Sequence, residues 1–404
     1  MSVTNLKQES INRSGFYVPQ MEIKIAGVGL PRDVLRDVTQ LTYKDNIDEI
    51  DNFEITINNW DPNTNDFKYI GSETSASLQG SSDESQLQRL FEPCDKEVSI
   101  KLGYVNHMVL MMRATFTTME PSFSASGASV LTVRGLNVLH QLRRKQYSTS
   151  WENKTDSQIV QNIASLNDRE TRQNRFPLPI VVDSNVQADE PELEYVAQRN
   201  QYDIDFILRR ARERAYVVFV RDTDDGRELY FGPSQSGDMA SLRDITFELA
   251  WGQSLIDFKP TLTTANQVRS VTVNGWNRRT RRPISETITL DDRRLNRNQD
   301  LYEILQRCDP REEVVVDEPV FTTRQARERA IAILMERQKE MVKASGTTVG
   351  LPDLRAGQKV QIKGVGARFN GTYFITETIH TLNDKGYITK FKARREDQTA
   401  GASQ

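Results

Sequence analysis

The sequence predicts an α+β protein that is mainly β, with two antiparallel β units on either side of a smaller α/β insert. Three observations carry this. Short segments near the start alternate apolar and polar residues with a period of two: Met21, Ile23 and Ile25; Phe53, Ile55 and Ile57; Val98, Ile100 and Leu102. Helical spacing and capping signals then take over after about residue 147. From about residue 245 the strand pattern returns.

The first unit spans 19–147. Strand signals in "MVLMMRATFTTMEPSF" and "SVLTVRGLNVL" complete a closed or nearly closed antiparallel set. Within it, 63–86 is rich in Ser, Asn, Asp and Gly and reads as an exposed polar insertion. Residues 1–18 and 396–404 lack periodicity and read as loose ends.

The insert spans 148–244. Thr155 and Gln158 stand at capping-box spacing ahead of Ile159, Ile163 and Leu166 on one helical face. Asp203 reads as the N-cap of a second helix with Ile204, Ile207, Ala211 and Ala215 on its stripe. That helix runs into "YVVFV" and "ELYFG", with Asp225-Gly226 suited to the positive backbone angles of a hairpin turn.

The second unit spans 245–395. It is interrupted by a helix opening on Thr322 and Gln325, striped by Ala326, Ala330, Ile333, Leu334 and Met341 and ended by Gly346. Three strands close the chain. "EIKIAGVGL" and "VQIKGVGAR" both run from an alternating strand into Gly-Val-Gly, a sign of two related barrels or else a chance match or a common turn type.

At 404 residues the chain holds a sizeable core without staples. Cys94 and Cys308 are too few for a disulfide framework or a cysteine zinc site. With 53 basic and 56 acidic residues the net charge of −3 gives no global pull toward nucleic acid or an anionic membrane. The N-terminus has no secretory signal and no apolar run reaches about 18 residues, so no membrane partner is expected when the chain is made.

Chemical motifs point away from catalysis. Gly364 and Gly366 form a G-x-G, but Phe369 stands where a dinucleotide loop needs its third glycine, and an alternating strand follows instead of a helix. His107, His140 and His380 have no ligand neighbours at metal spacing; His380, at a strand end, reads as a partner for a local backbone group. No G-x-S-x-G or cysteine-nucleophile signature occurs, and no lysozyme-like module accompanies the many carboxylates. Arg278, Arg279, Arg281 and Arg282 form a basic spot without interleaved aromatics, which reads as a solvated loop or an ion-pairing surface between subunits. No catalytic, cofactor-binding or metal-binding residues are assigned, and no cofactor.

Two segments resemble the phage late control protein D family, the baseplate hubs of contractile tails, which also form the N-terminal part of type VI secretion spike proteins. The first is "LEYVAQRNQYDIDFILRRARERAYVVFV", matching at Gln198, Asn200, Asp203, Asp205, Phe206, Arg210, Ala211 and Tyr216. The second runs from Gly350 to Arg395, matching at Gly350, Pro352, Leu354, Gly357, Gly364, Phe369, Gly371, Tyr373, His380, Gly386, Thr389 and Arg394. One departure is Ala215, where the family usually has glycine before the aromatic strand; another is the long insertion.

The resemblance implies two tube-type antiparallel β-barrel domains flanking the α/β insert, and a homotrimer whose six barrels sit under a hexameric inner tube and meet a trimeric spike. The implied partners are itself, an inner tube protein, a spike protein supplied as a separate chain and other baseplate subunits. The implied place is the bacterial cytoplasm during assembly, then the baseplate of a phage tail or injection particle. A hub that also cuts peptidoglycan and a DNA-contacting tail protein are the alternatives.

Overall fold

The computed structural model describes residues 2–5, 18–71, 87, 89–93, 96–182, 190–222, 226–234, 245–292, 299–307 and 311–395, apart from 64, 126 and 177. Both cysteines, most of the polar insertion and the 396–404 tail lie outside these residues.

The first β region contains β2 (Pro19–Ile25), β3 (Val28–Gly29), β4 (Val38–Asn46), β5 (Asn52–Asn58), a short hairpin β6 (Trp60–Asp61) and β7 (Asp66–Phe67), then β8 (Glu97–Tyr104), β9 (His107–Ser122) and β10 (Val130–Asn137). Before them β1 (Ser2–Asn5) pairs in parallel with a strand of the second region. This corrects the reading of 1–18 as wholly loose. Helix α1 (Arg32–Asp37) packs its buried Val34 beside β4. Part of the polar insertion is held to the core: Tyr69 is buried against the Phe91 ring, and its hydroxyl donates to Asp37 at 2.7 Å.

The middle region contains β11 (Gln146–Lys154), α2 (Asp156–Ser165), β12 (Ile180–Val182), β13 (Leu193–Tyr202), α3 (Asp203–Glu213), β14 (Tyr216–Asp222) and β15 (Arg227–Pro233). Thr155 and Gln158 form the capping box that starts α2. For α3 the N-cap is Tyr202, not Asp203, whose carboxylate turns inward to Arg175. The β14–β15 hairpin forms, with Gly226 not in the left-handed region, while Asp225 of the expected turn lies outside the described residues.

Beyond it come β16 (Ile245–Ala250), β17 (Leu255–Leu262), β18 (Val268–Asn277), β19 (Arg282–Thr289), α4 (Gln299–Arg307), β20 (Arg311–Val315), α5 (Thr323–Lys339), β21 (Val342–Val349), β22 (Lys359–Lys363), β23 (Gly371–Asn383) and β24 (Gly386–Arg395). Helix α5 ends at Lys339, short of Met341. Gly346 lies inside strand β21, where an added Cβ would come within 2.4 Å of the Phe391 ring, so its glycine serves close packing rather than a helix stop.

The ladder orders of the two β regions are the same. If the successive main strands of the first are lettered A (β2), B (β4), C (β5), D (β8), E (β9) and F (β10), their order across the sheet is B-C-F-E-D-A. The second, with β16, β17, β21, β22, β23 and β24 in the same roles, also runs B-C-F-E-D-A. Irregularities coincide too. The B–C ladder shifts register at its first residues in both, between Val38 and Gln40 and between Leu255 and Asp257. Strand E bulges at a threonine in both: Thr117 Oγ1 donates to the Arg134 carbonyl at 3.4 Å, and Thr376 Oγ1 to the Lys392 carbonyl at 3.3 Å. One pair differs, since A runs antiparallel to D in the first region and parallel in the second.

The two regions form one continuous sheet, because β23 pairs with β4 as well as with β22 and β24. Among the described residues no hydrogen-bonded pair closes either region into a barrel. The Gly-Val-Gly echo marks β2 and β22, which hold different places in the shared order, so that likeness is a common turn. Separate apolar clusters fill the first region, the middle region and the second region, and a small fourth one joins them.

Candidate functional site

The seam between the sheets joins the two β regions by a strand ladder and by side chains that cross it. The C-terminal half of β23 pairs antiparallel with β4, from Glu377 opposite Asn46 to Asn383 opposite Gln40. The loop after β21, which carries the first matches of the second resembling segment, lies across this join. Tyr104 donates to the Gly350 carbonyl at 2.9 Å, and His107 Nε2 lies 2.6 Å from Asp353 Oδ2. Gly357, at φ +84°, takes a left-handed turn that lets its N–H reach the Ile375 carbonyl, and an added Cβ there would stand 3.2 Å from the Phe219 ring.

Arg355 is the centre of the loop. Its guanidinium donates to Asp45 Oδ2 at 2.7 Å, to the Met111 carbonyl at 2.8 Å and to the Tyr43 hydroxyl, so one side chain of the second region holds β4 and β9 of the first. Asp45 and Tyr43 are fully buried. Burial works against the Arg355 charge, but Tyr43 and Asp45 beside it outweigh that and keep it firmly protonated. Asp51 is buried nearby, accepting from the Asn46 N–H and from Asn137 Nδ2; burial and the Asp45 charge push its carboxyl well above the ordinary range.

His380 sits inside β23, not at its end. It is fully buried, with Nε2 3.0 Å from the Leu354 carbonyl and Nδ1 2.8 Å from the Tyr387 hydroxyl. The carbonyl requires Nε2–H to donate, which leaves Nδ1 to accept. Burial, reinforced by the Arg355 charge, lowers its pKa to about 3. Below pH 6.5 the unfolded chain therefore takes up a proton that the folded chain refuses, and stability falls as the pH drops toward 3. We expect the wild type to lose about 1.4 kcal/mol per pH unit more than His380→Gln between pH 6 and 4, measured by urea unfolding. Equal slopes would show that His380 does not titrate in this way.

The middle region meets the seam through Val217, Phe219 and Tyr230, which pack with Ile47, Ala356 and Phe374. Its own polar centre explains the first resembling segment. Gln198 and Arg175 hold the buried Asp203 at 2.8 and 2.5 Å, Phe206 stacks on Trp151, Arg210 and Arg214 both reach Asp156, and Tyr216 donates to Glu190. Asp205 faces outward to Arg143. Ala215, just past α3, has φ +55°. A non-glycine residue there carries backbone strain of about 1–2 kcal/mol, part of which glycine returns as unfolded-state entropy. Ala215→Gly should therefore stabilise the protein by about 0.5–1 kcal/mol in urea unfolding; a destabilised variant would contradict this.

The other sequence candidates lie apart. Gly364 and Gly366, both left-handed, shape the β22–β23 turn. Arg278, Arg279, Arg281 and Arg282 cluster at the tip of the β18–β19 hairpin, exposed, with Arg278 over the Phe321 ring and Arg279 beside Glu194. His107 joins the seam, and His140 lies in the 3₁₀ turn Val138–Arg143. Arg355, Asp45 and Asp51 were not singled out from sequence. The signal available was Asp45 on the apolar register of a strand, in line with Leu41 and Tyr43.

Asp45, Asp51 and His380 are buried at the seam and Arg355 nearly so, while the His107–Asp353 pair lies partly exposed at its margin, and the geometry suits locking the two sheets together. Among the described residues no cluster of His, Cys, Asp or Glu could hold a metal ion, and no helix is long and apolar enough to cross a membrane.

Solved structures share this architecture along nearly the whole chain. The 43 kDa tail protein of prophage MuSo2 from Shewanella oneidensis is 13% identical with a TM-score of 0.61, over 94% of this chain and 98% of that one. A tail protein from Neisseria meningitidis MC58 is 12% identical with a TM-score of 0.59, over 94% and 97%. An E. coli component of the type VI secretion system, described as structurally similar to the T4 bacteriophage tail proteins gp27 and gp5, is 13% identical with a TM-score of 0.53, over 93% and 78%. The fold is thus that of phage tail and type VI secretion proteins, in agreement with the baseplate hub resemblance. No curated protein matches the sequence. The chain belongs to the Alg8 N-terminal domain family, whose model matches residues 17–384.

Proposed function

We propose that this protein is a structural baseplate hub of a phage tail or contractile injection system, a trimeric adaptor joining a hexameric inner tube to a trimeric spike. The observation that supports it most is the repeated strand order: one chain carries two like sheets fused edge to edge, so three copies offer six near-equivalent surfaces. Such a ring has the symmetry to meet a sixfold partner on one side while remaining threefold overall. Domains at 19–147, 148–244 and 245–395, with the middle one as an outward insert, are part of this proposal. So is residence in the bacterial cytoplasm until the particle assembles.

The role is non-enzymatic. Two of the buried carboxylates, Asp45 and Asp156, are locked to arginines, which supports this reading, and the arginine tip belongs to the small β18–β19–β20 sheet rather than to the large one. Purified protein should be a trimer by mass photometry, with a central hole in particle images. A monomer at tens of micromolar would overturn the trimer. Peptidoglycan digestion lost on changing one carboxylate would overturn the non-enzymatic role.

A further inference from the structure

The internal repeat identifies a second seam that one chain cannot complete. Within the chain, strand E of the second region lies against strand B of the first. Applying the same relation to the other two copies of these strands joins E of the first region, β9, to B of the second, β17. Among the described residues neither has a strand partner where that contact would fall: β8 accompanies β9 only as far as Thr115, leaving 117–122 without a ladder on that side, and beyond an isolated bridge at Leu255 β17 pairs only with β21.

The bulges set the register. Thr117 corresponds to Thr376 and the irregularity at Thr39 to that at Ile256. The buried residues Thr378, His380 and Leu382 of the existing seam thus correspond to Met119, Pro121 and Phe123, and Leu41, Tyr43 and Asp45 to Phe258, Pro260 and Leu262. The seam residues are buried, whereas Phe123 is 63% exposed, Pro121 is exposed and the other four are half-buried. Six positions that are interior at one seam are apolar and at least partly exposed at the other, Phe123 with its ring edge-on to Phe67.

We infer that β9 of one copy docks antiparallel on β17 of the next, with Met119, Pro121 and Phe123 opposite Leu262, Pro260 and Phe258, and that this contact closes the ring. The occupant is a second copy, because the contact repeats one the chain already makes with itself. A heterologous contact of this kind closes at three copies when the angle at the second seam matches that at the first. The facing prolines correspond to His380 and Tyr43 and supply no N–H, so the ladder is interrupted there and apolar burial carries the contact. They also keep each free edge from pairing with unrelated strands. This inference rests on the trimeric hub reading.

The test is disulfide trapping. Glu120 and Thr261 correspond to Ile379 and Lys44, which face each other at the existing seam. Both are exposed, so Glu120→Cys with Thr261→Cys should leave the fold intact, as checked by circular dichroism. Ile379→Cys with Lys44→Cys is the intrachain control. Mild oxidation should convert most of the first pair into covalent trimer on a non-reducing gel, with none from either single variant, while the control stays one chain long. A protein that is trimeric by mass photometry yet gives no interchain bond, with the control oxidised, overturns the seam but not the hub. A monomer at tens of micromolar overturns both.

Discussion

Arg355→Ala should destabilise the protein by about 3–5 kcal/mol, the range for removing one partner from a buried ion pair. The substitution strands Asp45, which is fully buried, and removes the donors to Met111 and Leu110 carbonyls and to Tyr43. Arg355→Lys should lose less, since it retains the charge but not the fork that reaches two strands at once. Hydrogen exchange separates this from a general weakening: protection should fall first in 350–358 and in the paired stretches 40–46 and 377–383. A loss below about 1 kcal/mol would mean that the sheets are held by pairing alone.

Asp156→Ala should cost a similar ~3–5 kcal/mol, but in the middle region. Asp156 is fully buried at the first turn of α2, 2.5 Å from Arg210 and 2.6 Å from Arg214. Burial alone would raise its carboxyl; the two arginines outweigh that and hold it below the ordinary value. A depressed carboxyl contributes stability that is complete above its unfolded pKa, near 4, and is lost as the pH falls through the folded one. Removing it leaves two confined guanidinium groups facing each other. Exchange protection across 146–222 should fall while the large sheet keeps its own. If the entire chain unfolds in one step at the same denaturant concentration as the wild type, Asp156 does not hold this region.

Much of the architecture could be read from the chain, because half-buried strands write their inner face as every second residue. Ile23 and Ile25, Ile55 and Ile57, and Ile100 and Leu102 are all buried, as their alternation requires. Capping chemistry was equally readable at Thr155 and Thr322, where side-chain oxygens accept from the third backbone N–H of the helix. What stayed hidden depends on partners distant in sequence. Asp203 satisfies the local rule for an N-cap but is drawn inward by Arg175 and Gln198. Gly346 fits a helix end until Phe391 is laid over it. Arg355 and Asp45 are separated by most of the chain, and an arginine in a loop looks solvated until the opposing strand is placed. Two β units were legible, but their strand-by-strand correspondence was not, because equivalent strands share geometry, such as the threonine bulge, and hardly any residues.

Where the first region joins strands B and C by the brief stretch 47–51, the second inserts 263–341, a three-stranded leaf (β18, β19, β20) backed by α5. In the proposed circle of alternating sheets, this appendage would recur at every other station. A neighbour that must distinguish three positions from six would find a grip on such an outgrowth, which the short 47–51 connection does not offer.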